Sequence, residues 1–500
     1  MLGTYITFPE LLIWLPLIAG ILSFFIQKEA TAKNWALFAS IGTLMISLAS
    51  LMYSDGSQKS FDASNVSYVW LPSIGSSFAV GLDGIGRLLT LLNAIAFPLI
   101  FIVTYNKQYK NAAAFYGLML LSQAGLMGVF CAMDVLLFYF FWELALIPVY
   151  FLSSRWGGEK RIAATFKFFI YTFAGSLILL VGILYFYQLT APVIDRAGNT
   201  LAEHSFSLDA FLKVSLTGAQ QNWLFWLFFI AFAIKMPIFP FHTWQPDAYE
   251  QAPAATTMVL SGIMVKMGVF AILRWLIPLF PLAVARWDNL VIGLSIFGMI
   301  YASLIAIKQD NIKRLVAYSS IAHIGLMCAA IFTRTEIGIQ GTIIQMFSHG
   351  INIIGLWMVV ELLEQQTGIK KISELGGVAQ KAPVLTILLV VIALANIALP
   401  LTNAFIGEFM MFSGLFAFNK WYAAFAGISI ILAAVYTLGM IQKVFYGPVN
   451  VITEKVKDIQ WSQRLVLIII VVIIFMVGVF PQPVFNLTKQ AMVFIMTKMK

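Results

Sequence analysis

The 500-residue chain is 61% hydrophobic and only 11% charged, and its mean hydropathy is +0.90. This balance excludes a soluble globular domain and predicts a polytopic membrane protein. The net charge of +9 does not require a nucleic-acid partner, because the basic residues are scattered over short loops, as the positive-inside rule expects. Cys131 and Cys328 lie in separate apolar segments, which argues against a disulfide framework or a cysteine metal site.

Apolar runs of about 18 residues or more predict an all-α protein with about fourteen transmembrane helices. The run at 11–26 lacks a preceding basic region and a cleavage pattern, so it is interpreted as a retained helix rather than a signal peptide. The longest connections are 54–84, 190–221, 364–382 and 447–463. The predicted spans are 8–26, 33–53, 85–104, 112–132, 134–153, 164–189, 222–240, 253–276, 288–308, 313–333, 335–363, 383–416, 420–446 and 464–486.

Lysine and arginine are more frequent in the loops after odd-numbered spans than in the loops after even-numbered ones. By the positive-inside rule, this asymmetry predicts that both termini lie on the outer side of the membrane. The loops at 155–161 and 308–314 are then expected in the cytoplasm.

Two predicted spans are interrupted by proline. Pro237 and Pro240 follow Lys235 in the seventh span, and Pro400 precedes Glu408 in the twelfth. Proline removes a backbone donor and clashes with the preceding turn, so both helices are expected to be discontinuous.

The positions of the breaks indicate an internal repeat. If spans four to eight and nine to thirteen are two units, each break falls in the fourth helix of its unit. An odd number of helices gives the two units opposite topology, which is typical of inverted-repeat transporters. The predicted regions are helices 1–3 at 1–111, a first inverted repeat at 112–276, a second at 288–446, and a loop with helix 14 at 447–500.

Six ionisable residues lie deep inside apolar runs, each on a different span. A charge near the middle of a ~30 Å hydrocarbon layer costs about 2.5–3.5 kcal/mol or more, so such residues mark ion or proton pathways by default. Their spread over six spans predicts a relay across the protein rather than one binding pocket. The six are Glu143, Lys235, Lys266, His323, His349 and Glu408.

Each of these residues also has a structural interpretation. Glu143 can be a neutral carboxyl bonded to the backbone, although Lys235 offers a counter-ion that would keep both groups charged. Lys235 and Lys266 can be locked in salt bridges, but neither reaches the membrane surface easily from mid-depth.

The histidines are less decisive when taken singly, since a lone buried histidine is more often a satisfied core residue. His323 and His349 share a depth and lie beside serines such as Ser319 and Ser348, which favours a relay. Histidine suits a relay because it can accept at one ring nitrogen and donate at the other. Glu408 is either the last group of the relay or a carboxylate that faces an outer aqueous vestibule.

Other polar residues lie near the breaks and helix ends. His242 and Asp247 either line a water-accessible entrance or satisfy the unwound backbone. Asp134, Arg155 and residues 308–314 are expected at the membrane interface. No nucleotide-binding loop follows a strand and no cysteine cluster could hold an iron–sulfur centre, so no redox or phosphate chemistry is predicted on this chain.

Five sequence blocks resemble the antiporter-like membrane subunits of respiratory complex I, and the resemblance runs from about residue 80 onward. The longest block is AFAIKMPIFPFHTWQPDAYEQAPAATTMVLSGIMVKMGVFAILRW at 231–275. The others are FFWELALIPVYFL at 140–152, DNIKRLVAYSSIAHIG at 310–325, FSHGINIIGLW at 347–357 and LPLTNAFIGEF at 399–409.

The resemblance implies a proton-pumping subunit with fourteen helices, two inverted repeats and a hydrated polar axis in the membrane plane. It implies that Glu143 and Lys235 form the charge pair of the input half, that Lys266 and the two histidines bridge, and that Glu408 gates the exit. Relatives place a lysine in the second broken helix, so Glu408 resembles the M-type branch, equivalent to mitochondrial subunit 4. One departure is Tyr-Glu-Gln at 249–251, where many members have His, a hydrophobe and Glu.

The resemblance also implies the surroundings of the chain. NADH, FMN, iron–sulfur clusters and quinone are expected on other subunits, with no cofactor on this one. The expected partners are other membrane subunits of complex I, especially neighbouring antiporter-like chains, and the lipid bilayer, but no nucleic acid. The expected location is an energy-transducing membrane, the inner (cytoplasmic) membrane of a bacterium.

The leading hypothesis is therefore a proton translocator in a redox-driven complex. Protons would enter from the cytoplasm near Glu143 and Lys235 and leave past Glu408. The alternatives are a subunit of an Mrp-type Na⁺/H⁺ antiporter and a membrane electron carrier that holds haem between His323 and His349.

Overall fold

A computed structural model describes residues 6–52, 66–194 and 200–499. Within these ranges, eleven helices are long and apolar enough to cross a membrane, and three further apolar helices are shorter. All fourteen predicted spans correspond to helices or to broken pairs of helices. The predicted all-α polytopic fold is confirmed.

The first eight spans begin largely where polar side chains accept hydrogen bonds from the first turn, as Asp83, Asn111 and Asp134 do. The helices are α1 (Phe8–Ser23), α2 (Glu29–Met52), α3 (Gly84–Val103), α4 (Ala112–Cys131), α5 (Val135–Trp156), α6 (Arg161–Tyr187), α7 (Leu208–Lys213), α8 (Gly218–Lys235), α9 (Trp244–Gln251), α10 (Ala254–Val259), α11 (Val265–Ala271) and α12 (Ile277–Leu279). α7 is a short helix in a loop, whereas α10, α11 and α12 form one span whose π-helical turns lie at Leu260–Met264 and Ile272–Leu276.

The remaining spans complete the bundle, with the short α16 in a loop. The helices are α13 (Pro281–Ile307), α14 (Ile312–Phe332), α15 (Glu336–Thr367), α16 (Val378–Lys381), α17 (Pro383–Asn396), α18 (Asn403–Phe418), α19 (Lys420–Val444), α20 (Trp461–Val479) and α21 (Gln482–Met499).

The C-terminal helix α21 differs from the prediction, which carried the fourteenth span to residue 486. α20 ends at Val479, and α21 starts after Pro481, which a helix interior does not tolerate. α21 has a buried stripe and a polar face, so a search for apolar runs does not detect it. The buried residues are Thr488, Ala491, Met492 and Ile495.

Two connections that were predicted as loops, 54–84 and 190–221, contain small antiparallel hairpins. Gly75, at φ +64°, lies in the turn of the first hairpin, and its carbonyl accepts from Phe206 N at 3.1 Å. This bond joins the two connections at one end of the bundle. The strands are β1 (Val66–Leu71) paired with β2 (Ser76–Val80), and β3 (Val193–Ile194) paired with β4 (Thr200–Ala202).

The seventh span is broken as predicted. α8 ends at Lys235 and α9 begins at Trp244, with Pro237 and Pro240 between them. Trp244 donates its indole N–H to the carbonyl of Ile234 at 3.0 Å, so one of the carbonyls near the broken end has a partner.

The twelfth span is also broken as predicted. α17 ends at Asn396 and α18 begins at Asn403. Ala398 and Leu401 in this break have φ values of 58° and 74°. For residues other than glycine this left-handed conformation costs about 1–3 kcal/mol each, and it persists only where the surrounding structure enforces it.

The core of the bundle is formed by the eighth, tenth and eleventh spans. In the most apolar 18-residue stretches of Ala254–Leu279 and Glu336–Thr367, all residues are buried inside the bundle. In the corresponding stretch of Ile312–Phe332, 94% of the residues are buried. The corresponding window of Lys420–Val444 is only 39% buried. The predicted relay residues Lys266, His349 and His323 are therefore on the helices that are most shielded from lipid.

α15 and α18 cross closely because glycines face each other at the crossing. A Cβ on Gly341 would lie 2.7 Å from Cβ of Met410 and 2.9 Å from the carbonyl oxygen of Gly407. Small residues allow helix backbones to approach in membranes. This contact holds the helix of Glu408 against the helix of His349.

Gly341→Ala is expected to lower the melting temperature of the protein purified in detergent, because overpacking typically costs about 1–3 kcal/mol. Gly427→Ala on α19 is the matched control, since among the described residues no atom lies within 4 Å of a Cβ at that position. There the better helix propensity of alanine, worth up to about 1 kcal/mol, should leave stability unchanged or raised. Equal melting temperatures for the two variants would contradict a close crossing.

Candidate functional site

The six predicted residues occupy the interior of the bundle. Lys235, Lys266, His323, His349 and Glu408 are buried, and Glu143 is half-buried. The structure brings four of them into one continuous group and leaves Glu143 and Lys235 outside that group's hydrogen bonds.

Lys266 and His349 form the first pair of the group. Nζ of Lys266 lies 2.8 Å from Nδ1 of His349 and donates to the carbonyl of Ser261 at 2.8 Å. Ser261 belongs to the π-helical turn before α11, and such turns often occur at functional sites. While Lys266 is protonated it can only donate, so His349 accepts at Nδ1.

The two histidines are neighbours, with ring centroids 5.4 Å apart and ring planes at 50°. Nδ1 of His323 lies 3.0 Å from Oε1 of Glu408. The same carboxylate oxygen accepts from Nε2 of Gln345 at 3.3 Å. Protonatable groups therefore follow one another from Lys266 to Glu408.

The other nitrogen of His323 contacts Asn396, a residue that sequence reasoning missed. Nδ2 of Asn396 lies 3.4 Å from Nε2 of His323 and 3.3 Å from Oγ of Ser319. Tyr436 donates its hydroxyl to the same Oγ at 3.0 Å. The one sequence signal for Asn396 was its position at the edge of a proline break. This signal is weak, because burying a neutral amide in the membrane costs much less free energy than burying a charge.

Lys235 stands apart from this group. Among the described residues, its Nζ has no hydrogen-bond partner, nor does Oε1 of Glu143. Nζ lies 5.3 Å from the ring centroid of Trp142, a cation–π distance, and interacts electrostatically with Glu143. The predicted charge pair is thus separated by more than a hydrogen bond, and its role stays a prediction.

Several buried polar atoms on the helices that carry the six predicted residues have no hydrogen-bond partner in the described part of the chain. Groups of this kind are usually satisfied by ordered water. They include Nζ of Lys235, Nε2 of His349, Oε1 of Gln345 and both amide atoms of Asn352.

Asp247, in the first turn of α9, belongs to an ion-pair cluster. Its carboxylate lies 2.8 Å from Nζ of Lys167 and 2.8 Å from Nη1 of Arg314. Arg314 also contacts Glu250 at 3.1 Å, and the cluster borders an open cavity of about 630 Å³. His242 packs against the Tyr301 ring with a centroid distance of 5.5 Å. The cavity fits the entrance interpretation of Asp247.

Asp134 caps α5, accepting from the N–H groups of Leu136 and Leu137, each at 3.0 Å. It also accepts from Ser76 and Ser77 of β2. Burial raises the pKa of Asp134, although these four hydrogen bonds act in the opposite direction. Its position at a helix end is as predicted.

A buried ion pair that the sequence did not indicate joins α3 to the eighth span. Nη2 of Arg274 lies 2.6 Å from Oδ2 of Asp83, and both side chains are almost fully buried. Asp83 also caps α3 by accepting from Gly86 N at 2.6 Å.

The haem alternative does not fit the histidine geometry. His323 and His349 are direct ring neighbours, and one nitrogen of each is bonded to Glu408 or Lys266. In the described ranges, His, Cys, Asp and Glu form no group of three that could hold a metal ion, and both cysteines are free.

Comparison with known proteins identifies close relatives. The family described as "NADH:quinone oxidoreductase/Mrp antiporter, TM" matches residues 132–434. The NADH-quinone oxidoreductase subunit M of Rickettsia typhi is 36% identical over 484 residues, covering 95% of each chain. A chain of respiratory complex I from Thermus thermophilus superposes with a TM-score of 0.89 at 29% identity, covering 98% of this chain and 99% of that one. A chain of the Mrp complex from Dietzia sp. has a TM-score of 0.82 at 19% identity, covers 99% of each chain, and shows the fold alone.

Removing one partner of the Asp83–Arg274 pair is expected to destabilise the protein, by up to about 3–5 kcal/mol, because the other charge stays buried and loses this counter-ion. Asp83→Asn and Arg274→Leu should each lower the melting temperature of the purified protein. The double variant should lose less than the sum of the two. Additive losses would contradict a direct interaction between these two charges.

Proposed function

Since the chain belongs to the NADH:quinone oxidoreductase/Mrp antiporter family of membrane subunits, we propose that it translocates protons within a quinone-reducing respiratory complex. The single observation that carries this proposal is the continuous buried group Lys266, His349, His323 and Glu408. Four buried protonatable side chains in succession offer a proton a route that no apolar helix offers.

The input end is proposed at Lys235 and Glu143. Because Lys235 has no hydrogen-bond partner among the described residues, its ammonium depends on the nearby carboxylate and on the Trp142 ring for stabilisation. Neutralising or moving the carboxylate of Glu143 therefore favours release of the lysine proton. This makes the pair a switch that a conformational change can operate.

The transfer route then follows two hydrogen bonds and the contact between the two histidine rings. A proton delivered to Lys266 passes to Nδ1 of His349, and the adjacent ring of His323 carries it to Glu408. Nε2 of His349 is buried and has no partner in the described ranges, so it is the nitrogen from which the proton would leave this ring toward His323. Glu408 lies beside the second break and releases the proton on the outer side.

The driving reaction is proposed to lie on other chains. NADH, FMN, iron–sulfur clusters and quinone would be held by other subunits, with this chain contacting neighbouring membrane subunits and lipid. The proposed division into inverted repeats at 112–276 and 288–446 places each break in the fourth span of its unit. Bacterial relatives such as that of Rickettsia typhi favour the bacterial inner membrane as its location.

The Mrp-type antiporter alternative is less well supported. The Mrp chain from Dietzia sp. shares the fold at 19% identity, whereas the relative from Rickettsia typhi is 36% identical along nearly its whole length. Glu408 in the second broken helix also agrees with the M-type branch. A sodium flux in proteoliposomes that is independent of quinone reduction would reverse this preference.

Lys235→Ala and Glu143→Gln are each expected to abolish proton pumping by the reconstituted complex while leaving its assembly intact. Both remove the electrostatic switch, and loss of an acid–base group typically costs about 100-fold or more. Pumping is followed by dye quenching in proteoliposomes, together with quinone reduction.

Lys381→Ala and Glu454→Gln are the matched controls, because both side chains are exposed. They should pump normally. Normal pumping and quinone reduction in the Lys235→Ala complex would contradict the proposed relay at its centre.

Glu408→Gln is expected to block the exit. The amide keeps the volume and still accepts a hydrogen bond from His323, but it cannot take up and release a proton. The complex should assemble, with proton pumping reduced as strongly as in Lys235→Ala. Unchanged proton-to-electron ratios would remove Glu408 from the route.

A further inference from the structure

We infer that Asn396 is a positioning residue that selects the tautomer of His323 and turns its own amide over when that ring becomes doubly protonated. The inference rests on the proposed function and adds a residue that the relay itself does not contain. It is carried by the contacts at the far side of the His323 ring.

Asn396 is buried at the junction of three helices. From the end of α17 its Nδ2 reaches Nε2 of His323 at 3.4 Å and Oγ of Ser319 at 3.3 Å, both on α14. From α19, Tyr436 donates to the same Ser319 oxygen at 3.0 Å. One amide nitrogen therefore contacts a relay histidine and a hydroxyl chain at once.

This arrangement fixes the tautomer of the neutral ring. An amide nitrogen can only donate, so Nε2 of His323 must accept and the ring proton must be on Nδ1. Nδ1 then donates to Glu408, 3.0 Å away. The neutral ring is thus oriented with its proton toward the exit carboxylate.

A doubly protonated ring cannot keep this pattern, because both of its nitrogens donate. The amide nitrogen of Asn396 would then face a second donor. A half-turn of the amide brings Oδ1 to Nε2 instead. Because Tyr436 already supplies a hydrogen to Ser319, the serine can turn its own hydrogen toward Oδ1. The exchange needs only rotation of the Asn396 amide and of the Ser319 hydroxyl, and neither α17 nor α14 has to move.

The position of Asn396 gives this exchange a place to act. It is the last residue of α17, directly before the break that contains the strained Ala398 and Leu401. Across the break, α18 carries Glu408. The orientation of the Asn396 amide, beside the break between the two halves of the twelfth span, therefore depends on the protonation state of His323.

The titratable groups facing His323 in the described ranges come from several helices. Glu408 on α18 is bonded to it, and His349 on α15 lies at a centroid distance of 5.4 Å. Tyr436 on α19 faces it through Ser319, and Lys266 on α11 lies behind His349. Each stays unchanged in variants at Asn396.

The test compares Asn396→Asp with Asn396→Leu in the reconstituted complex, with proton pumping measured across pH. A carboxylate can only accept, so Asn396→Asp should stabilise the doubly protonated ring. The pH at which pumping falls on the alkaline side of the profile should then rise by roughly one unit. Asn396→Leu neither donates nor accepts, so pumping should fall at every pH with no upward movement. Thr386→Val is the control, because Thr386 is on the same half-helix and donates its hydroxyl to the carbonyl of Ala382, directly before that helix, at 2.9 Å; it should leave the profile unchanged.

If pumping falls at the same alkaline pH in the parent, the Asp variant and the Leu variant, the inference is overturned and Asn396 has only a packing role. If the Asp variant does not assemble, Asn396→Ser takes its place, because its hydroxyl can donate or accept and should restore pumping relative to Leu. Equal impairment by Ser and Leu also overturns it. Glu408→Gln is measured in the same series: normal pumping there defeats the proposed function, whereas a blocked Glu408→Gln with an unshifted Asp variant defeats this inference alone.

Discussion

A charge in hydrocarbon needs a partner, and the interior of this bundle is arranged around that requirement. Lys266 is bonded to His349 and to a carbonyl, and Glu408 to His323 and Gln345. Each of these bonds joins two elements of different spans or of one π-interrupted span. The helices that carry them must therefore be neighbours, and three of the four spans involved, the eighth, tenth and eleventh, are the most buried of the long spans.

The backbone obeys the same requirement. Each free N–H and C=O of an unwound segment at membrane depth needs a partner. In the second break, where Leu399 and Leu401 are exposed, the N–H groups of Ala398, Leu399 and Thr402 bond to nearby carbonyls. The second break also contains two non-glycine residues in the left-handed region, Ala398 and Leu401. The close crossing at Gly341 and Gly407 holds α18 in place despite this strain.

Much of this fold and part of the site could be predicted from sequence. Long apolar runs give the spans, prolines give both breaks, and charges at mid-depth mark all six relay candidates. The helix α21 was not predicted, because its apolar residues form only a stripe along one face. The hairpins were not predicted, because short strands in polar loops lack a long alternating hydrophobic pattern.

Partnerships were harder to predict than positions. His349 bonds a lysine 83 residues away, and His323 bonds a glutamate 85 residues away. Which groups meet is decided by helix packing, which a single sequence does not encode locally. Asn396 and Gln345 could not be singled out, since a neutral amide costs far less to bury than a charge and occurs in many cores. The expected pair of Glu143 and Lys235 has an electrostatic contact but not a hydrogen bond.

The two ends of the proposed relay are built differently, and this difference bears on how it can be driven. At Glu408 the carboxylate has two hydrogen-bonding neighbours, so a proton arriving there exchanges one satisfied arrangement for another. At Lys235 the ammonium relies on a carboxylate beyond hydrogen-bond range, where an interaction of about 4 kcal/mol at 4 Å and an effective dielectric near 20 falls further with distance. An attraction of that size changes with small displacements, whereas a hydrogen-bonded network resists them. A conformational signal from a neighbouring subunit would therefore act most strongly on Glu143 and Lys235, and the pairs from Lys266 to Glu408 would respond to the proton that this end releases.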